Sequence, residues 1–181
     1  MALLEGGPRA VTVEGVATRL GATKGSGYWH FASRADLLQE VVARYRRTHT
    51  DALIDHVHRE ADGPQEQLRL LFDLIFRARE DGNEARILLS DEPVIAEAVA
   101  DLAERRIRFV AGLVAAAGVG RAEARRRSEV AYCMVLGHEV LLAAAPGSMT
   151  RTGRGATRTD RVLAVLLDEP APAAHRGARH E

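Results

Sequence analysis

Thr12 to Phe31, TVEGVATRLGATKGSGYWHF, restricts the fold of this chain more than any other stretch. Val13, Val16, Ala17 and Leu20 share one face of a helix capped by Thr12. Gly21 follows, and a glycine just past the last periodic residue ends a helix. Thr23 then offers a hydroxyl cap to a second short helix, about Lys24 to His30. Two short helices across a glycine turn form a helix-turn-helix, whose second helix enters the DNA major groove. Here that helix presents Lys24, Ser26, Tyr28, Trp29 and His30 within seven residues. The segment predicts DNA binding, not catalysis.

The chain around it reads as all-helical. Alternating β-branched runs are lacking, while 3.6-residue spacing recurs. ALLEGG looks like the last turn of a helix ending at Gly6 and Gly7. Ser33, with Asp36 three residues on, resembles a capping box and opens a helix to about His58. Its apolar stripe is Leu37, Leu38, Val41, Tyr45, Leu53 and Val57. Asp62-Gly63-Pro64 breaks the chain, and proline suits the first turn of the next helix, 65–80. That helix turns Leu68, Leu71, Phe72, Ile75 and Phe76 inward. A short helix is expected at 84–89, and a long one from Ser90-Asp91-Glu92-Pro93 to about Ala117. Another spans Arg121 to Ala145, interrupted by Gly137 and stopped by Pro146. A glycine-rich loop over 147–159 leads to a last helix, Asp160 to Leu167. The expected division is a head, 1–45, a helical domain, 46–168, and a disordered tail, 169–181.

Composition narrows the class. At 181 residues, 46% hydrophobic and 28% charged, the chain has the make-up of an ordinary globular protein. Net charge is zero, so no global field draws it to nucleic acid. Between Pro8 and Arg47, however, seven basic residues face three acidic ones, a local surplus suited to a DNA-binding head. The single Cys133 excludes an internal disulfide and a multi-thiolate metal site, and a reducing cytoplasm fits. No apolar run reaches the length of a membrane span.

Thr12, Val16, Ala17, Leu20, Gly21, Thr23, Gly25, Ser26, Tyr28, His30, Phe31, Ser33, Arg34 and Leu37 together resemble the helix-turn-helix of the TetR/AcrR family of transcriptional regulators. The resemblance covers about residues 10 to 45. It implies a homodimer whose two heads bind the half-sites of a palindromic operator in double-stranded DNA. It also implies a larger helical domain that senses a small-molecule effector, with no cofactor and no catalytic role. The last two long elements, Arg121 to Ala145 and Asp160 to Leu167, would form a four-helix dimer interface.

The expected DNA-binding set is Thr12, Thr23, Lys24, Gly25, Ser26, Tyr28, Trp29, His30 and Arg34. Hydroxyls of Thr23 and Ser26 at a helix N-terminus suit phosphates or base edges. Lys24 reaches a phosphate or a guanine edge. Tyr28 and His30 match family positions that commonly contact the DNA backbone, and Trp29 is placed to press on a sugar or a thymine methyl. Arg34 suits a phosphate clamp, and Gly25 lets the backbone approach closely. Tyr28 packing between helices and His30 as a plain surface residue remain open alternatives.

Two departures from the family stand out. About fifteen residues that should precede Ala2-Leu3-Leu4 are lacking, and a start assigned too late is the favoured explanation. The competing reading is a helical dimeric sensor or interaction protein that has lost DNA binding with its first helix. Gly27 also replaces an apolar core residue, which predicts unfilled volume beneath the second helix and a stabilising Gly27→Ala substitution. In the larger domain, Phe72, Phe76, Phe109, Met134 and His138 are the candidates for an apolar effector pocket, against plain core packing. His49, His56, His58, Asp51 and Asp55 read as a solvated face, not a metal site. Cys133 and His138 are five apart, about 140° around a helix, so they form no catalytic pair.

Overall fold

A computed structural model describes residues 6–78, 87, 90–145, 147 and 157–167. Every regular element among them is helical, so the chain is all-α. Gly6 is helical, and Gly7, at φ 67°, turns the backbone into a 3-10 turn, Pro8–Ala10, that the sequence did not announce. α1 is Val13–Arg19 and α2 is Lys24–His30. Both are capped as expected: Thr12 Oγ1 accepts from the Gly15 N–H at 3.0 Å, and Thr23 Oγ1 from that of Ser26 at 3.2 Å. Gly21, at φ 67°, makes the turn between them, a conformation that strains any residue with a Cβ.

The helix expected over 34–58 has a different build. α3, Arg34–Arg46, starts on a Ser33 cap and runs without a break in direction into a π turn, Arg47–Asp51, and then α4, Ala52–Glu60. Tyr45 and Thr50 are both buried although five residues apart. In an uninterrupted α-helix they would point roughly 140° away from each other. The wider π turn returns them to one side. Thr48 helps to hold it open, its hydroxyl donating to Arg44 O at 3.0 Å, while His49 stacks on Tyr45 at 4.4 Å.

α5, Pro64–Ala78, follows Gly63, itself at φ 85°. It buries Leu68, Leu71 and Phe72, with Ile75 and Phe76 partly covered. The short helix expected at 84–89 falls outside the described residues, except for Ile87, which is helical and buried. α6 is Pro93–Ala116 and α7 is Arg121–Ala144, packed side by side. Gly137 does not interrupt α7, because a glycine inside a helix lowers its stability without breaking its hydrogen bonds. α8, Arg158–Leu167, begins two residues earlier than expected, because the Thr157 and Asp160 side chains close its first turn. Pro146, most of the glycine-rich loop and the tail lie outside the described residues.

Two clusters of buried side chains organise the molecule. One joins α4 to α8 around Val57, Leu68, Phe72, Val114, Ala131 and Leu166. The other lies under the head: Val11, Val13, Leu37, Leu38, Val42 and Tyr45. It is completed by Ile95 and Leu102 of α6 together with Ile87. Each such fully buried aliphatic side chain contributes roughly 1.5–3 kcal/mol, so α6 supplies much of the floor of the head.

The volume expected beneath Gly27 is already filled. A Cβ on Gly27 would stand 3.0 Å from Val13 Cγ1 and 3.3 Å from Ala17 Cβ. Without a side chain at Gly27, α2 has settled onto α1, and Val13 and Ala17 occupy the space. Gly27 is a close-approach position, and the expectation of a stabilising alanine is corrected.

Candidate nucleic-acid interface and effector cavity

α2 buries none of its seven residues. Lys24, Gly25, Ser26, Tyr28, Trp29 and His30 are all exposed, as is the cap Thr23, while Thr12 is half-buried at the start of α1. Trp29 is 83% exposed and Leu20, at the end of α1, 77%. Trp29 is held at one edge by a T-shaped contact with His30, 4.8 Å between centroids.

One acidic residue organises the polar part of this face. Glu14 of α1 takes the Tyr28 hydroxyl at 2.9 Å and the Lys24 ammonium at 3.1 Å, both on Oε1. The Lys24 ammonium also lies 5.9 Å from the centre of the Tyr28 ring. A backbone hydrogen bond at Glu14 and then those from Tyr28 and Lys24 lower the pKa of its carboxyl. In return Glu14 raises those of Lys24 and Tyr28, each through a direct hydrogen bond. Lys24 and Tyr28 are thus pre-placed side by side over a carboxylate that mimics the anion a phosphate would supply.

Arg34 does something the sequence did not suggest. Its Nε donates to Val11 O at 3.1 Å, and its Nη2 to Pro8 O at 2.8 Å and to Glu92 Oε1 at 2.9 Å. Arg9 pairs with Asp91 at 3.0 Å. Two arginines of the head are therefore fastened to the two acids in front of α6, while the Arg34 side chain stays 38% exposed.

In the larger domain a cavity of about 50 Å³ opens between α4, α5, α6 and α7. Phe72, Phe109, Leu71, Val110 and Val135 make apolar walls, and Arg106, Thr50, His49, Ser128 and Tyr132 bring polar groups. Arg106 Nε donates to Thr50 Oγ1 at 2.9 Å. Of the five residues expected to line a pocket, Phe72 and Phe109 do so. Phe76 and His138 meet each other elsewhere, centroids 5.5 Å apart, with His138 7% exposed. Burial foremost, with Arg158 nearby, lowers the His138 pKa. Met134 is 38% exposed on the outer face of α7, away from the cavity.

With this geometry in view, the comparisons with known proteins are specific. Residues 1–41 match the model of the tetR family of bacterial regulatory proteins. The head of this chain belongs to the tetR family. No curated protein sequence matches the chain. Among solved structures, a TetR transcriptional regulator from Legionella pneumophila superposes with a TM-score of 0.65 at 18% identity, over 77% of this chain and 80% of that one. The transcriptional regulator FadR from Bacillus subtilis, solved in complex with stearoyl-CoA, gives 0.59 at 15% identity, over 92% of each chain. The ketosteroid transcriptional regulator KstR2 of Mycobacterium tuberculosis gives 0.53 at 20%, over 91% and 86%. At these identities the likeness is one of fold, and it extends the tetR-type architecture over the helical domain.

The tetR-type head thus carries a helix-turn-helix built for DNA, with the motif where the sequence placed it. Sequence reasoning missed the cavity residues Thr50, Arg106 and Ser128. Arg106 had a signal: RRIRFV, 105–110, sets arginine among apolar residues in mid-helix. Thr50 had none, because only the π turn carries it inward. The histidines and acids of 49–58 serve other purposes, as Asp51 is held by Arg105 and Arg46. Cys133 is exposed and His138 buried, on different sides of α7.

Proposed function

We propose that this chain is a ligand-responsive transcriptional regulator that binds a palindromic operator as a homodimer, with repression as its output. The observation that carries the reading is α2 itself: a capped helix with no buried residue, whose exposed side chains are those that bond phosphates and base edges. In this reading Thr12, Thr23, Lys24, Gly25, Ser26, Tyr28, Trp29 and His30 form the contact surface. Lys24 and Tyr28 exchange Glu14 for a phosphate, and Arg34 holds the surface in place from behind.

Dimerisation is supported by a stripe on the outer face of the domain. Val130, Met134 and Leu141 are exposed on α7, at spacings that share one helical face, and Val165 is exposed on α8. Two copies joined there would make a four-helix, twofold contact. They would set two heads to half-sites one or more DNA turns apart, each about 34 Å. An effector in the helical domain would change that spacing and so the fit. The working division is a head over 1–45, a sensing and dimerising domain over 46–168 and a tail beyond. A DNA-binding regulator of this kind works in the cytoplasm; no helix among the described residues is long and apolar enough to cross a membrane.

A mobility-shift titration with the DNA upstream of the gene tests this. The parent is expected to shift a discrete fragment. Lys24→Ala with Tyr28→Ala should weaken binding across sequences and reduce the slope of log K against log salt by about one unit. A double variant that binds like the parent overturns the assigned surface. No shift at all favours a helical dimeric sensor without DNA binding.

A further inference from the structure

Glu14 is the only acid between Thr12 and Phe31. It belongs to α1, yet its carboxylate lies against α2, with Oε1 2.9 Å from the Tyr28 hydroxyl and 3.1 Å from the Lys24 ammonium. Its side chain stays 42% exposed and that of Lys24 70%. Lys24 is the first residue of α2. In a helix-turn-helix the N-terminal residues of the second helix are the ones that reach base edges. A carboxylate beside Lys24 is carried to the bases with it.

A carboxylate is not neutral toward DNA. It repels phosphates, and it repels the N7, O6 and O4 acceptors of the major groove. Taking it out of water against such groups, without a donor, is costly. Lys24 and Tyr28 supply donors in the free protein, and both are drawn off when they turn to phosphates. The duplex must then supply a donor in their place. The major groove has two, the N4 amino group of cytosine and the N6 amino group of adenine. Adenine sets its N7 acceptor beside the amino group, where it opposes a carboxylate; cytosine has no such neighbour on its own ring edge.

We propose that Glu14 is a specificity-determining residue, its carboxylate accepting a hydrogen bond from the N4 amino group of one cytosine in each half-site. The assignment rests on the DNA-binding reading above and adds to it a base reader from the helix before α2.

Enrichment of bound duplexes from a random pool, with the full chain, tests it. The parent should enrich a half-site with one required cytosine, on either strand. Glu14→Gln keeps an oxygen for the Tyr28 hydroxyl and should move the preference at that position to adenine, whose N6 and N7 match an amide. Glu14→Ala should relax that position alone. On the enriched duplex, replacing the cytosine by 2-pyrimidinone, which lacks the amino group, should weaken parent binding roughly tenfold to a hundredfold, the loss of a hydrogen bond to a charged group. The same replacement should leave Glu14→Ala binding unchanged, which separates the lost contact from the weakened base pair. A merely structural Glu14 would lower affinity for all sequences alike and move no base preference. Unchanged preferences in Glu14→Gln overturn the proposal, and so does a parent indifferent to the missing amino group. Should the variants fail to fold, the 2-pyrimidinone comparison on the parent decides. The two readings separate cleanly. A parent that enriches no sequence overturns the DNA-binding reading and this assignment with it, whereas enrichment that ignores Glu14 overturns this assignment alone.

Discussion

Gly27 of the recognition helix lies against Val13 of the helix before it, so closely that a methyl group on Gly27 would stand 3.0 Å from Val13 Cγ1. Val13 is 2% exposed and belongs to the head core, so it has little room to give. Gly27→Ala gains up to about 1 kcal/mol of helix propensity but incurs an overpacking cost of about 1–3 kcal/mol. A net loss of about 1 kcal/mol in urea unfolding is expected, and a higher melting temperature would show that α1 and α2 can part without cost.

Gly25 is the opposite case. A Cβ there meets nothing within 4 Å of the chain. Gly25→Ala should stabilise the protein by up to about 1 kcal/mol and still weaken DNA binding, because the methyl group occupies space the backbone needs beside the duplex. Paired thermal melts and mobility shifts check both signs; unchanged affinity would remove Gly25 from the interface.

Arg34 separates two roles by the same pair of measurements. As a tie between Pro8, Val11 and Glu92, its replacement by alanine should cost about 1–2 kcal/mol of stability, the bonds being part-buried. Glu92→Gln should cost less, since it leaves the two carbonyl bonds intact. If Arg34→Ala lowers DNA affinity with no change in melting, the guanidinium clamps phosphate and the tie is incidental.

Acid should loosen the contact between α6 and α7. Glu104 receives both Nη atoms of Arg125, at 2.9 and 2.7 Å, and Arg108 at 2.9 Å. These partners, Arg125 foremost, lower its pKa from 4.5 to about 2. The carboxylate is favoured in the folded state, so its stabilisation is complete above pH 4.5 and is lost as pH falls toward 2. Glu104→Gln should lower stability at neutral pH and flatten its decline across that window. Parallel acid-unfolding curves for parent and variant would refute the assignment.

Legibility in the sequence followed the range of the interaction. Thr12, Thr23 and Ser33 act within three residues of themselves, and all three caps stand where the sequence placed them. Leu68, Leu71 and Phe72 were readable from helical period alone. The π turn was not, because its inserted residue changes phase without leaving a glycine or proline as a mark. That one shift hid Thr50, and with it half of the Arg106 contact. Arg34 reaches partners 26 and 58 positions away, which no local pattern encodes. The gap expected under Gly27 came from substituting one residue into a family frame while holding the helices still; they had moved together instead.

α6 bears Ile95 and Leu102 at one end and Arg106, Ile107 and Phe109 at the other. From Ile95 to Val110 it contains neither glycine nor proline, so this stretch, about 24 Å at 1.5 Å per residue, behaves as a stiff rod. Anyone re-tailoring the chamber for a new guest therefore has one wall that is not free. Remodelling along this rod would tilt the seat on which the reading head rests, whereas Leu71 and Phe72 on one side and Ala131 and Val135 on the other can be exchanged with the seat left level.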